Sequence, residues 1–240
     1  MSAAPPAIVA DLAPTGRLRA SINLGNPVLA QGTPAEPAGV TVDVARELAA
    51  RLGVPVELVR CGAARTSFAA MAEGRADICF LAIDPARETE VAFTAPYVLV
   101  EGVYIVPQDS PMISPADVDR PGVRVGVKQG SAYDLFLTRA LVHASVVRGE
   151  EGVDVFRDLG LEAGAGIRQP VAAFAAANLG FRVIDERFME IRQALGTSRG
   201  RAPETVDFLC AFVEELKASG FVADSLRRSG RLDATVAPPA

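Results

Sequence analysis

Short β-branched apolar runs alternate along this chain with stretches of helical hydrophobic spacing, and that alternation constrains the fold more than any other feature. It is the pattern of βαβ units, which bury a largely parallel sheet beneath helices. Strand patterns fall at 18–23, 55–59 and 77–83, with helical ones at 41–52 and 67–73 between them. Within 41–52, Val44, Leu48 and Leu52 recur at i, i+4 and i+8, one apolar stripe with Asp43, Arg46, Glu47 and Arg51 off it. Thr41 is placed to cap this helix and Gly53 to end it.

After Pro107 the polar stretch 108–111 reads as a crossover, and the alternation restarts. Strands are expected at 123–127, 145–148, 162–167 and 181–184, and helices at 132–142, 152–159 and 171–178. Residues 187–195 read as a return crossover and 196–201, rich in Gly, Ser and Arg, as a loop. Pro203 suits the first turn of a helix that runs to Ser219 and stops at Gly220. The expectation is an α/β chain of two Rossmann-like lobes, each with a mixed, mostly parallel sheet, joined by two hinge crossings. Residues 1–16 read as an N-terminal extension, 17–106 plus 193–240 as lobe 1, and 107–192 as lobe 2. Hinge stretches are expected at 106–109 and 190–195, and 235–240 as a loose tail.

Composition narrows the function. The chain has 240 residues, half of them hydrophobic, enough for one large domain or two small lobes with real cores. With 24 Lys and Arg against 29 Asp and Glu, and no basic run interleaved with aromatics, nucleic acid is not the expected partner. The longest apolar stretches are broken by Asp84, Glu101 or Pro107 well short of the roughly 20 residues a membrane span needs, so none is expected. Residues 1–13 lack Lys and Arg and carry two prolines and Asp11, unlike a secretory signal, which reads as a cytoplasmic or already trimmed chain. Cys61, Cys79 and Cys210 lack metal-ligand spacing and read as buried reduced thiols. His143, the single histidine, reads as structural. No metal or cofactor is expected.

One segment is more specific. Leu81-Ala82-Ile83-Asp84-Pro85-Ala86-Arg87, then Val91-Ala92-Phe93-Thr94 and Ala95-Pro96-Tyr97, orders a strand, a turn, an arginine and an aromatic-Pro-Tyr. It resembles family 3 of the bacterial extracellular solute-binding proteins, the polar amino-acid receptors of ABC transporters. Residues 39–44 (GVTVDV), 72–77 (AEGRAD), 126–131 (GVKQGS) and 214–220 (EELKASG) are similar to further landmarks of that family, so the resemblance spans about 17–228. It implies the type 2 periplasmic binding protein fold, hinge closure on a solute, a periplasmic location, an ABC permease as partner, a monomer by default and no catalysis.

The resemblance assigns Arg87 to the ligand's carboxylate, which its planar fork suits; the bland alternative is a surface arginine paired with Glu88 or Glu90. Backbone N–H groups at Gly130 and Ser131, opening a helix with Ala132 and Tyr133, suit the same anion, though a simple N-cap explains them equally. Lys128 either contacts ligand or faces solvent. Asn23 and Asn26 orient polar groups or serve only as turn residues. Phe80 and Tyr133 are apolar walls or core.

Departures from the family matter as much. Ala82 stands where relatives often keep a hydroxyl, and no aromatic shelf occurs near Ala63 and Ala64. Amino-acid receptors carry an aspartate for the ammonium at the end of the second-lobe strand, where this chain has Arg168. An ammonium desolvated there unpaired would cost several kcal/mol. Arg87, Arg168 and Lys128 together favour a small organic anion, a class that includes one with two acidic groups. The rival readings are a lyase on the same fold, similar to cyclohexadienyl dehydratase, and a cytoplasmic ligand sensor. For the lyase, Glu101, Asp84 and Asp185 are the available acid-base groups, and they form no recognisable pair.

Overall fold

The computed structural model describes residues 4–33, 35–231 and 234–240. Its elements in chain order are α1 (Pro6–Leu12), β1 (Leu18–Asn23), β2 (Gln31–Gly32), β3 (Pro37–Ala38), α2 (Val40–Leu52), β4 (Val56–Cys61), α3 (Ala64–Ala72) and β5 (Ile78–Ala82). They continue with β6 (Val91–Pro107), β7 (Arg124–Lys128), α4 (Ala132–Ala140), β8 (Ser145–Gly149), α5 (Gly152–Asp158), β9 (Ala163–Ile167) and α6 (Arg168–Ala177). The last are β10 (Phe181–Val183), β11 (Met189–Ser198), α7 (Pro203–Ala218), α8 (Phe221–Arg228) and β12 (Thr235–Val236).

The chain divides into two compact units, residues 1–99 with 192–240 and residues 100–191. It passes from the first to the second inside β6 and returns inside β11. The outward passage therefore lies ahead of the stretch 106–109 where a hinge was expected, within a continuous strand. Both long strands escaped the sequence pattern, β6 because Thr94, Pro96 and Glu101 interrupt its apolar run.

In unit 1, β1 lies between β4 and β5, parallel to both, and β11 runs antiparallel along β5 with Leu195 opposite Phe80. The stretch 196–201, expected as a loop, carries β11 to Ser198; Gly196 sits opposite Cys79 in the ladder. The stripe on α2 is buried as the spacing requires, and Gly53 ends the helix in the left-handed conformation. Thr41 does not cap it: the helix begins one residue earlier, and the Thr41 hydroxyl donates to the Leu29 carbonyl at 3.2 Å. Cys61, Ala70, Met71, Cys79, Leu81 and Val91 close the core beneath α3. Helix α1 buries Ile8 and Leu12 and packs on α7. The tail read as loose is a strap: Thr235 and Val236 pair with Leu99 and Val98 of β6, and Ala237 is buried.

In unit 2, β7 lies between β8 and β9, parallel to both, β9 pairs antiparallel with β6, and β10 pairs antiparallel with β6. Val103, Ile105, Phe156, Leu161 and Val171 form its core, with α5 and α6 laid against the sheet. Among the described residues no helix is long and apolar enough to cross a membrane.

Candidate functional site

In open parallel sheets ligands bind beyond the carboxyl ends of the strands, and each unit gathers its expected site residues, Phe80 excepted, at or just past that edge. In unit 1 the parallel strands β1, β4 and β5 end at Asn23, Cys61 and Ala82. Both asparagines are occupied by turns. The Asn23 Oδ1 accepts from the Gly25 N–H at 3.0 Å, and the Asn26 Oδ1 from Val28 at 3.2 Å. Phe80 is core, 2% exposed and edge-on to Tyr97 with ring centroids 6.1 Å apart. Its position in the middle of a strand covered on both sides decides this.

Arg87 is not a surface arginine: it is 3% exposed, and its Nη1 donates to the Ala82 carbonyl at 3.0 Å. The turn that brings it back is built by Asp84, whose carboxylate accepts from the Ala86 N–H at 2.9 Å and whose carbonyl accepts from the Arg87 N–H. Burial lowers the guanidinium's pKa, and the negative charge of Asp84 opposes that. Beside it, burial pushes the Cys79 thiol up to about 12, so it stays protonated.

Unit 2 brings together the segment Lys128 to Tyr133, after β7, and Arg168, after the neighbouring strand β9. Each expected cation or donor there is already engaged. The Lys128 ammonium pairs with Glu151. The Gly130 N–H donates to the Asp134 Oδ2 at 2.8 Å, and the Ser131 Oγ caps α4 by accepting from the Asp134 N–H at 3.0 Å. Asp134 is buried, and its carboxylate also takes the Arg148 Nε at 2.9 Å and the Thr138 hydroxyl at 3.2 Å. The anion pocket expected at this helix start is thus filled by the chain's own carboxylate. Ala132 opens the helix half-buried, and Tyr133 is buried, with its phenol raised above its ordinary pKa chiefly by burial.

Arg168 follows the same rule. Its Nε donates to Glu101, and its Nη2 to the Asp185 carbonyl at 2.5 Å. The antiparallel register of Gly102 with Ile167 puts Glu101 across from Arg168, and Arg187 reaches the other Glu101 oxygen at 3.4 Å. Glu101, named only as an acid-base candidate, is therefore a structural neighbour of the expected site. Unit 2 also holds an aromatic cluster, in which Phe188 stacks on Tyr104 at 4.3 Å and neighbours Phe136. No short sequence motif joins these three rings. Among the described residues no group of three His, Cys, Asp or Glu side chains could hold a metal ion.

Two α/β units, each built on a mostly parallel sheet, define the class of type 2 periplasmic binding protein folds. The chain belongs to the bacterial extracellular solute-binding proteins, family 3, whose model matches residues 23–228. It is similar in fold to a mutant of ArgBP from T. maritima (TM-score 0.75, 21% identity, covering 93% of this chain and 99% of that one). The solute receptor for L-cysteine of Neisseria gonorrhoeae is alike at TM-score 0.76 and 21% identity, covering 92% of each chain. A third is the ancestral amino acid-binding protein AncCDT-1, a precursor of cyclohexadienyl dehydratase (TM-score 0.74, 22% identity, 92% and 98% covered). No curated protein matches the chain in sequence.

Proposed function

We propose that this solute-binding protein is the substrate-binding component of an ABC transporter, and that its solute is a small organic carboxylate rather than a zwitterionic amino acid. The observation that carries the reading is Arg87, a 3% exposed guanidinium anchored on Ala82 beyond the last parallel strand of unit 1. A ligand carboxylate beside it would accept charge-assisted bonds from the planar guanidinium, and these are the strong kind. The position where an amino-acid receptor would hold the ammonium is Arg168, itself a cation.

A second reading has an observation in its favour. Similar structures are named for amino acids, one of them AbpA from Streptococcus pneumoniae bound to L-arginine, and Glu101 returns a carboxylate to the neighbourhood of Arg168. Thermal shift separates the two, since a ligand at 100 times its dissociation constant stabilises by about 2.7 kcal/mol. The expected result is a shift with carboxylates that Arg87→Lys weakens by about tenfold or more in affinity, because lysine keeps the charge and loses the fork. Unchanged circular dichroism of the variant shows that it folds. A shift confined to amino acids would support the second reading, and steady product formation from a bound acid would support the lyase.

A further inference from the structure

The parallel strands of unit 2 begin on one edge of its sheet, at Arg124, Ser145 and Ala163, and the registers of β6 and β10 bring Pro107 and Phe181 to the same edge. Four connections meet there, β6 to β7, α4 to β8, α5 to β9 and α6 to β10, and each shows one large apolar side chain to solvent. They are Ile113 (78% exposed), Val142 (78%), Leu159 (59%) and Leu179 (90%), and among the described residues they are all the large hydrophobic side chains so exposed. Apolar clusters of this kind mark contact surfaces. We infer that this amino edge of unit 2 docks a second copy of the chain, which makes the protein a two-fold dimer rather than the monomer that the family resemblance implies by default.

The four side chains sit on connections that are tied down. The Ile113 N–H donates to the Asp117 carboxylate at 3.1 Å, and the Val142 N–H to that of Asp119 at 3.0 Å. Next to Leu159 and Leu179, the carbonyls of Gly160 and Gly180 accept from the Arg124 Nη2 and the Gln108 N–H, each at 2.9 Å. Burying them therefore costs little ordering. The strands enter in the order β10, β6, β9, β7, β8. At about 4.8 Å per strand the edge is roughly 20 Å across, which fits within one side of a standard interface of about 800 Å².

Charge selects the occupant. A lipid surface recruits free basic side chains around apolar tips. Here Arg120 is bound by Asp117, Arg124 by Glu162, Arg157 by Asp154 and Asp158, and Arg182 by the carbonyls of Ser110 and Met112. With these arginines neutralised in place, the face suits a partner that is apolar and near neutral, and a second copy brings one. The described residues offer no second exposed apolar cluster for a head-to-tail contact, so the contact is isologous and closes at two. Lys128 and Arg168 lie at the opposite, carboxyl edge, so a copy seated here leaves them uncovered.

The test is sedimentation equilibrium of the full chain, which does not depend on the identity of the solute. The expected result is a monomer-dimer equilibrium with a dissociation constant of about 10 μM or tighter. Val142→Asp and Leu179→Asp, both at exposed positions, each weaken it by about tenfold or more, because every substitution enters an isologous contact twice. Unchanged circular dichroism shows that the variants fold, and Thr15→Asp, in an exposed turn of unit 1, leaves the equilibrium as it was. A chain that stays monomeric, a dimer that both variants leave intact, or assemblies that keep growing with concentration overturn the inference. Flotation with vesicles of neutral and of anionic phospholipid covers the other occupant. Vesicle binding by a monomeric chain that Leu179→Asp abolishes assigns the face to a lipid surface and overturns the dimer.

Discussion

Asp77 shows how much one buried charge organises in unit 1. Its side chain is fully buried, yet Arg19 grips both carboxylate oxygens, at 3.0 and 2.8 Å, and Arg201 adds a third contact at 3.0 Å. Arg201 also holds Asp11, and the Asp11 carboxylate accepts from the Ala202 N–H, so the N-terminal helix is tied to the same point. Removing one member of a buried ionic network leaves the others uncompensated, at a cost of about 3 kcal/mol or more. Asp77→Ala is therefore expected to lower the unfolding free energy by about that amount, read as a lower urea midpoint at unchanged slope, and an unchanged midpoint would show the network to be dispensable. Residue pairings of this kind were not legible in the sequence. Arg87 could be singled out because it sits in an ordered motif. The partners of Lys128, Gly130 and Arg168 could not, because a carboxylate elsewhere in the chain reads alike whether it meets solvent or a cation.

At the scale of elements the hydrophobic period carried most of the information. It placed β1, α2 and α7 to within a residue or so, because each has one buried face and an unambiguous end signal. It failed on β11, where Gly196 and Ser198 read as loop, since a glycine there answers to close packing that only the tertiary fold reveals. Gly126 and Gly152 have the same cause. A Cβ on Gly126 would lie 2.8 Å from the Gly152 carbonyl oxygen, and one on Gly152 would lie 2.8 Å from that of Ala165. Helix α5 thus rests directly on β7, and Gly126, part of the family-like segment GVKQGS, serves that packing. Gly126→Ala must push backbone from backbone, for an expected loss of about 1–3 kcal/mol, measurable as a lower midpoint with ligand affinity retained. Arg124 and Glu162 fasten the other end of β7, with bonds of 2.9 and 2.8 Å. The side-chain bonds from Arg124 hold the Glu162 carboxyl at about 2, against an ordinary 4.5. A depressed carboxyl stabilises above its unfolded pKa and loses that contribution as pH falls through the folded one. Glu162→Gln should accordingly lower the melting temperature slightly at neutral pH, with the difference shrinking between pH 4.5 and 2. A difference constant across that range would contradict the pairing.

For the molecule as a whole, the division into two units raises the question of what steadies the strand on which the chain leaves unit 1. The strap supplies part of the answer. Thr235 and Val236 add to β6 at Leu99 and Val98, the last residues before the chain enters unit 2, and the Ala237 N–H donates to the Tyr97 carbonyl. Lys217 locks this arrangement from α7: its ammonium donates to the carbonyls of Pro96 and Pro238, at 3.3 and 2.9 Å, and pairs with Glu214. Its side chain is only 4% exposed, so the charge depends on those acceptors rather than on water. Deleting residues 235–240 removes one acceptor, uncovers Ala237's seat and opens the β6 edge. Lys217→Met keeps the apolar stem and removes the charge, so it separates the loss of strand pairing from the loss of the ion. The deletion is expected to lower the melting temperature and to speed amide exchange at Leu99, whose N–H faces the strap in this register, whereas Lys217→Met should leave the Leu99 amide slow. Fast exchange at that amide in the unaltered protein would mean that the strap does not protect the strand.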